Sequence, residues 1–288
     1  MSRNFNILGN SGCNVELFSK KDGTFFVRKT TNDAFYMSRL KKQAEKQMIF
    51  FEQKARKTPA TPKIFSLNET DNEFYFDMDY CGSVDCITYL EKAGTSGIQL
   101  LLDFLISIIS DNIKNSEFLE LDREVFYEKH QSVKRSTLAS PHVNEALIDY
   151  DKVEKVFRSI STEKIPIGFC HGDLTLSNVL AKATENRFEL IDFLDSFIET
   201  PLNDIVKLRQ DTRYMWSTYF YRSSFDKGRI SLILSHLDEK IDQFFKDFEF
   251  YNKHYVPFQV LNLLRILPYC EDVYIIRMLT NNINRLIS

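Results

Sequence analysis

The stretch that decides the fold is HGDLTLSN at His171–Asn178, followed after one apolar run by IDF at Ile191–Phe193. Asp173 stands five residues before Asn178, so a single loop offers a carboxylate and an amide oxygen. Asp192 would join them from the end of a following strand. This order of Asp, Asn and Asp is typical of a phosphoryl-transfer centre, in which one carboxylate faces an acceptor hydroxyl and the other two side chains hold a metal ion.

Each of the three side chains has its own chemical task in such a centre. Asp173 would accept a hydrogen bond from the acceptor hydroxyl and take its proton as the oxygen attacks phosphorus. Asn178 and Asp192 supply hard oxygen ligands, which suit Mg2+. The structural alternative for Asp173 is a loop cap. His171 and Gly172 are predicted to support the loop, through hydrogen bonds and a tight backbone path.

The composition is that of a globular protein without a nucleic-acid footprint. Hydrophobic residues make up 43% of the chain and charged residues 27%, which is enough for a substantial core. The net charge of -3 argues against nucleic acid as a partner, because proteins that bind it usually carry a basic patch. The apolar run at 100–109 is broken by Asp103 and Ser107, and we predict a buried helix too short to span a bilayer.

Two further features favour the cytoplasm. Residues Met1–Asn4 show no charged region that leads into an apolar segment of the signal-peptide type. The five cysteines lack the close pairs of a zinc site, and their odd number fits a reducing compartment. We therefore expect a cytoplasmic protein with no membrane partner.

The first eighty residues are rich in strand signals and the remainder is rich in helix signals. Ser38–Lys54 has helical periodicity and contains neither Gly nor Pro, and helical spacing of apolar residues resumes from Gly97 onward. A hairpin turn is predicted at Asp22-Gly23. Short aromatic and β-branched runs predict strands at Phe5–Leu8, Asn14–Phe18, Thr24–Lys29 and Glu73–Asp79.

The motifs resemble those of the aminoglycoside phosphotransferase and choline kinase family, the small-molecule branch of the protein-kinase-like fold. HGDLTLSNVL with ELIDFLDSF carries most of the resemblance, and Pro201–Ile205 is similar to the helix start that follows the family's metal site. The resemblance implies an α+β, two-lobed fold. Residues 1–80 would form the N-lobe, with an antiparallel sheet and one helix covering the nucleotide, and 81–288 a helical C-lobe with the catalytic loop and the acceptor pocket. ATP and Mg2+ are the implied cofactors.

Two absences favour a small-molecule acceptor over a protein. Thr175 stands where protein kinases commonly carry a phosphate-binding Lys, and no Ala-Pro-Glu segment follows Asp192. We expect a kinase that acts on a hydroxyl of a sugar, amino alcohol or similar metabolite. The alternatives are an antibiotic phosphotransferase, which needs an acidic groove for a polycation, and a catalytically silent nucleotide-binding module.

Several residues of the N-lobe would contact the nucleotide in a protein of this family. Gly12 belongs to the loop at 9–14, where backbone N–H groups could cover the phosphates, although a plain hairpin turn would look similar. Strand alternation lets only one of Arg28 and Lys29 face the cleft, and we favour Lys29. Asp79 and Cys81 lie in the segment that resembles the adenine-binding hinge.

The helix that should hold the Lys29 partner departs from the family pattern. At about 100° per residue, Leu40, Ala44, Met48 and Phe51 define a buried stripe that includes Gln47. Glu45 lies outside this stripe. The sequence therefore predicts that a neutral Gln47 replaces the usual carboxylate, with the ordinary Lys–Glu pair as the alternative.

The acceptor pocket is expected beyond Asp204, and its chemistry stays open at this point. Asp195 resembles a second acidic position of the family's metal segment, with a solvated turn carboxylate as the alternative. Aromatic, acidic and basic side chains follow, which suit a quaternary ammonium, an amine or an acid respectively. Asp195 is also a candidate substrate residue. The four candidate acceptor residues beyond Asp204 are Asp211, Arg213, Tyr214 and Trp216.

Overall fold

The computed structural model describes residues 5–7, 12–54, 60–221 and 223–288. Its N-terminal part is a five-stranded antiparallel sheet with the spatial order β1-β2-β3-β5-β4. The strands are β1 (Phe5–Ile7), β2 (Asn14–Ser19), β3 (Phe25–Thr31), β4 (Ile64–Thr70) and β5 (Glu73–Asp79). Four of them coincide with predicted strands, and β4 was not predicted.

The predicted turn between β2 and β3 is confirmed. The Lys20 N–H donates to the Thr24 carbonyl at 2.7 Å, and Gly23 has a φ of 85°. An L-residue with a side chain rarely adopts this left-handed conformation, so a glycine suits the position.

One helix packs on this sheet, as predicted. Helix α1 (Ala34–Lys54) begins before the predicted Ser38, and its first turn is capped by Asp33, whose Oδ1 accepts from the Phe35 N–H at 2.9 Å. Leu40 and Ala44 are fully buried and form one core with strand residues such as Phe76. The predicted phase of the helix is therefore correct at these two positions.

Two smaller antiparallel sheets follow. The first has the order β10-β9-β6 and contains β6 (Val84–Asp85), β9 (Val179–Lys182) and β10 (Arg187–Leu190). The second pairs β7 (Glu117–Glu120) with β8 (Lys164–Ile167). Strands β9 and β10 lie between the two sequence motifs, because His171–Asn178 precedes β9 and Asp192 follows β10.

Most of the chain beyond β5 is helical. The helices after α1 are α2 (Cys86–Lys92), α3 (Thr95–Lys114), α4 (Arg123–Leu138), α5 (Tyr150–Arg158), α6 (Pro201–Tyr214), α7 (Trp216–Phe220), α8 (Lys227–Phe245), α9 (Glu249–Ile266) and α10 (Val273–Leu286). Helix α6 begins at Pro201 as expected. Thr200 caps it by accepting from the Leu202 N–H at 3.2 Å, and Asp204 is buried in its first turn. The α+β class, with an antiparallel N-terminal sheet and a mainly helical remainder, is confirmed.

Helix α3 contains the apolar run that was predicted to be a buried helix. Its length of 20 residues and its composition would allow it to cross a membrane, so the expectation that the segment is too short was wrong. Leu101, Leu105 and Ile109 are fully buried. Core helices of globular proteins can have the same length and apolar composition as a membrane-spanning helix. Among the described residues no other helix is long and apolar enough to cross a membrane.

The chain forms two compact units that do not follow its order. The first contains 1–105, 171–196 and 220–233, and the second contains 106–170, 197–219 and 234–288. Both sequence motifs therefore belong to the same unit as the N-terminal sheet. The lobe boundary between residues 80 and 81 stays a prediction.

Candidate active site

His171 anchors the catalytic loop from inside the first unit. Its side chain is 1% exposed, Nδ1 accepts from the Asp173 N–H at 3.2 Å, and Nε2 donates to the Ile191 carbonyl at 2.9 Å. Burial lowers the pKa of His171 to about 4, so the ring is neutral at pH 7. This neutral ring links the Asp173 loop to the strand end that precedes Asp192, in agreement with a supporting role.

Asp173 and Asn178 contact each other directly. The Asn178 Nδ2 donates to the Asp173 carbonyl at 2.8 Å and to its Oδ2 at 3.1 Å. A short 3-10 turn at Leu176–Asn178 makes this contact possible, because it brings position 178 back toward position 173. The amide nitrogen thus points toward Asp173, which leaves the Asn178 Oδ1 to serve as an oxygen ligand.

The Asp192 segment lies against the catalytic loop with no room for a side chain between them. The Leu194 N–H donates to the His171 carbonyl at 2.9 Å, and a Cβ placed on Gly172 would be 2.0 Å from the Leu194 carbonyl oxygen. Gly172 has a φ of 84° and Asp192 a φ of 64°. A left-handed aspartate costs conformational energy, and such residues concentrate at functional sites.

Lys29 reaches this site from strand β3. Its side chain is buried, and its Nζ forms a short ion pair with the Asp192 Oδ1. Burial lowers the pKa of Lys29, but the Asp192 carboxylate outweighs that effect and the net pKa is raised, so the amine stays charged.

Arg28 points to the other face of the sheet. Its Nε and Nη2 donate to the two oxygens of Asp77 at 2.7 and 2.8 Å, and its guanidinium lies 3.8 Å from the centre of the Tyr75 ring. Because Asp77 accepts from both the Nε and the Nη2 of Arg28, Lys29 and not Arg28 is the residue that can bind a nucleotide phosphate.

Gln47 is buried as expected, but the predicted contact with Lys29 was wrong. The Gln47 Nε2 donates to the Pro62 carbonyl at 2.8 Å and to the Met78 sulfur at 3.5 Å. Periodicity placed the residue on the correct face of α1, and the chain segment before β4 supplies its partner. Glu45 is exposed, as predicted.

Sequence reasoning missed Lys46, the neighbour of Gln47. Its side chain is buried at 8% exposure, and its Nζ donates to the Leu194 carbonyl at 2.7 Å. One turn earlier, the exposed Lys42 pairs with the Asp195 Oδ2 at 2.9 Å. Helix α1 therefore presents two lysines to the segment that follows Asp192, and Asp195 is a partner of one of them.

Gly12, Asp79 and Cys81 are the other residues that were predicted to contact the nucleotide. A Cβ on Gly12 would meet the Tyr36 ring at 2.8 Å, while residues 9–11 of its loop lie outside the described part of the chain. The Asp79 N–H donates to the Lys63 carbonyl at 3.0 Å and its side chain is exposed. Burial raises the pKa of the half-buried Cys81 thiol, aided by Glu189, so this cysteine stays protonated and unreactive.

The four candidate acceptor residues belong to the second unit. Asp211 is buried, and its two oxygens accept from the Ser217 N–H and Oγ at 2.7 and 2.8 Å. This carboxylate stabilises the turn after α6 and is not presented to solvent. Trp216 is half-buried, and Arg213 and Tyr214 line one cavity.

The oxygen donors of the site fit a nucleotide-bound magnesium ion. No group of three or more His, Cys, Asp or Glu converges anywhere in the described ranges, so an all-protein metal cage is absent from them. Mg2+ usually takes one or two protein oxygens and completes its shell with phosphates and water. Asn178 Oδ1 and the Asp192 carboxylate provide such a pair.

The sequence model of the phosphotransferase enzyme family matches residues 14–229, which contain both motifs and Lys29. The chain belongs to this family. The resemblance drawn from HGDLTLSN and IDF is thereby confirmed. Comparison with curated protein sequences gives no match.

Solved structures of kinases that act on small molecules have the same fold at low identity. A candidate fructosamine-3-kinase from Thermobifida fusca aligns with a TM-score of 0.61 at 12% identity, covering 99% of this chain and 93% of that chain. Ethanolamine kinase from Plasmodium vivax gives 0.55 at 12% identity, with 99% and 82% covered. Amicoumacin kinase, in a complex with AMP-PNP and Ca2+, gives 0.57 at 11% identity, with 97% and 86% covered. At these identities the likeness shows the kinase-like fold.

Proposed function

We propose that this phosphotransferase moves the γ-phosphoryl group of ATP to a hydroxyl of a small metabolite, with Mg2+ as the metal. The observation that carries the proposal is the contact network of the first unit, in which Lys29 meets Asp192 and Asn178 meets Asp173. With the His171–Ile191 hydrogen bond, these contacts join residues from β3, the catalytic loop and the end of β10. Phosphoryl transfer requires this combination of a base, metal ligands and a phosphate-binding cation.

Each residue has a role that its surroundings support. Asp173 takes the proton of the acceptor hydroxyl, and its contact with the Asn178 amide holds its carboxylate in place. Asn178 Oδ1 and Asp192 are the ligands for Mg2+, which supplies positive charge beside the phosphate oxygens when it is bound. Lys29 stays charged at the buried end of the site and binds phosphate oxygens.

Three observations favour a metabolite hydroxyl over other acceptors. Thr175 leaves the loop without the second phosphate-binding lysine of protein kinases. Asp211 is committed to Ser217, which removes a carboxylate from any acidic groove that would favour a polycationic antibiotic. The structural neighbours are named kinases of ethanolamine, fructosamine and amicoumacin, which favours a small molecule over a protein and does not separate a metabolite from an antibiotic.

A coupled assay of ADP release across a panel of hydroxylated metabolites tests the proposal. The Asp173→Asn variant is the matched control, because it keeps the shape of the loop and removes the base. We expect acceptor-dependent ADP release by the wild type, with phosphate found on a hydroxyl by 31P NMR. ATP binding with no acceptor-dependent release, and identical background in the variant, would instead favour a silent nucleotide-binding module.

A further inference from the structure

A second polar site lies in the second unit, between the C-terminal ends of α6 and α10. Arg213 is in the last turn of α6 and Arg285 in the last turn of α10. Together with three other side chains they surround a cavity of about 170 Å3. The full lining is Arg213, Tyr214, Asn282, Arg285 and Leu286.

The lining of this cavity carries positive charge and no negative charge of its own. Two exposed arginines are among its lining residues, and no acidic residue is. Asp238 approaches the Arg213 Nη1 at 3.8 Å, but its oxygens already accept from the Arg209 Nε and Nη2 at 2.9 Å each. Within the described ranges, Arg285 forms no ion pair. One carboxylate that is engaged by a buried arginine cannot neutralise two more.

Asn282, the remaining polar side chain of the lining, also favours a ligand that accepts hydrogen bonds. Asn282 donates its Nδ2 to the Met278 sulfur at 3.1 Å, and a thioether is a weak acceptor. A ligand oxygen would be a stronger partner for this amide. The cavity therefore presents donors from three side chains, in the planar and charged form that matches carboxylate and phosphate groups.

We propose that this cavity binds a carboxylate or phosphate group. Such an anion would accept hydrogen bonds from Arg213 and Arg285, which line the same cavity. The group could belong to the acceptor metabolite, which would narrow the substrate class to anionic hydroxyl compounds, or to a free anion. The first source rests on the proposed function, whereas the second does not.

Inorganic phosphate is the probe for the site itself. Its dissociation constant is measured by calorimetry for the wild type, for Arg285→Gln and for Arg277→Gln. Arg277 is the matched control, because it is exposed on the same helix, lies outside the cavity lining and carries the same charge. Loss of one charge-assisted hydrogen bond should weaken phosphate binding roughly 10- to 100-fold in Arg285→Gln. Arg277→Gln should bind as the wild type does.

The kinetic arm distinguishes the two sources of the anion. If the acceptor carries it, Arg285→Gln raises KM for carboxylated or phosphorylated acceptors and leaves KM for neutral acceptors unchanged. If a free anion binds, phosphate affinity falls in the variant while KM is unchanged for every acceptor. Equal phosphate affinity in wild type and Arg285→Gln would overturn the site and leave the kinase proposal intact. A wild type that binds phosphate through Arg285 and transfers no phosphoryl group would overturn only the kinase proposal.

Discussion

Replacement of Lys46 by methionine is the sharpest test of how helix α1 supports catalysis. The Lys46 Nζ donates to the Leu194 carbonyl at 2.7 Å, and that carbonyl oxygen lies against Gly172, the residue before Asp173. The Leu194 N–H in turn donates to the His171 carbonyl at 2.9 Å. Lys46 is therefore a positioning residue, which acts on the Asp192 segment and on the catalytic loop through the backbone of one residue, Leu194.

The size of the effect follows from the buried contact. A hydrogen bond from a charged donor contributes about 1.5–3 kcal/mol, and the Lys46→Met variant keeps the apolar stem while it removes the donor. If that energy holds the Asp192 segment in the reactive geometry, kcat should fall roughly 10- to 100-fold. The Mg2+ concentration needed for half-maximal nucleotide binding should rise, while nucleotide binding without Mg2+ stays near the wild-type value.

Steady-state kinetics and a Mg2+ titration of nucleotide binding measure these effects, with Lys42→Met as the matched control. Lys42 is exposed and pairs with Asp195, also exposed, so its loss should change kcat by less than about five-fold. Thermal unfolding is recorded for both variants, because lower stability alone would leave the Mg2+ requirement unchanged. Wild-type kcat in Lys46→Met, or equal defects in the two variants, would refute this reasoning.

Four other substitutions have distinct expected outcomes. Asp173→Asn should lower kcat by roughly two to four orders of magnitude with nucleotide affinity nearly unchanged, and a variant with full activity would exclude Asp173 as the base. Asp192→Ala should abolish the Mg2+ dependence of ATP binding in a titration with and without the metal. Gln47→Ala should lower the free energy of unfolding by about 1–3 kcal/mol in urea titrations without raising the ATP KM, because a buried carbonyl loses its donor. Burial lowers the pKa of His130 from 6.5 to about 4. The free energy of unfolding should therefore fall by up to about 3 kcal/mol as the pH falls from 6.5 to 4, because the unfolded state takes up the proton first. The His130→Phe variant should show a smaller decrease when thermal unfolding is measured as a function of pH.

The sequence identified the residues of the first unit that the fold brings together, because the motif encodes the loop itself. Asp173 and Asn178 are close in the chain, and a single turn of 3-10 helix sets their contact. Asp192 follows one short hairpin later, at the end of β10. Contacts of this kind depend on local geometry, and local geometry leaves a trace in spacing.

Partners that come from distant segments were not predictable. Helical periodicity correctly buried Gln47 and exposed Glu45, but it carries no information on which carbonyl lies opposite a buried side chain. Lys46 was missed for a related reason. Hydropathy assigns a lysine to solvent, and the acceptor that makes its burial possible is 148 positions away in the sequence.

Strand β4 was missed because it is an edge strand. Ile64–Thr70 reads IFSLNET, which carries few apolar residues, and one side of the strand has no neighbour in the sheet. A register shift between Ile64 and Ser66 further breaks the alternation that would mark it.

The choice between Arg28 and Lys29 depended on sheet register. Adjacent strand residues face opposite sides, and the sequence alone did not say which side faces Asp192. The register pairs Arg28 with Asp77 on β5, which satisfies that guanidinium on the far face. Lys29 is then left for the face that carries the site.

The cations of this site are arranged differently from the Lys–Glu pattern of protein kinases. Lys29 has its carboxylate partner at Asp192, and α1 contributes Lys46 to the same segment. Under the proposed function Asp192 has two tasks, since it holds the buried Lys29 and would also offer an oxygen to Mg2+. Two positive groups close to one metal-binding segment would repel an incoming metal ion, and the phosphates of the nucleotide offset that repulsion. For this reason the Mg2+ titration of nucleotide binding, more than turnover alone, reports on the part of the site in which this chain departs from the family pattern.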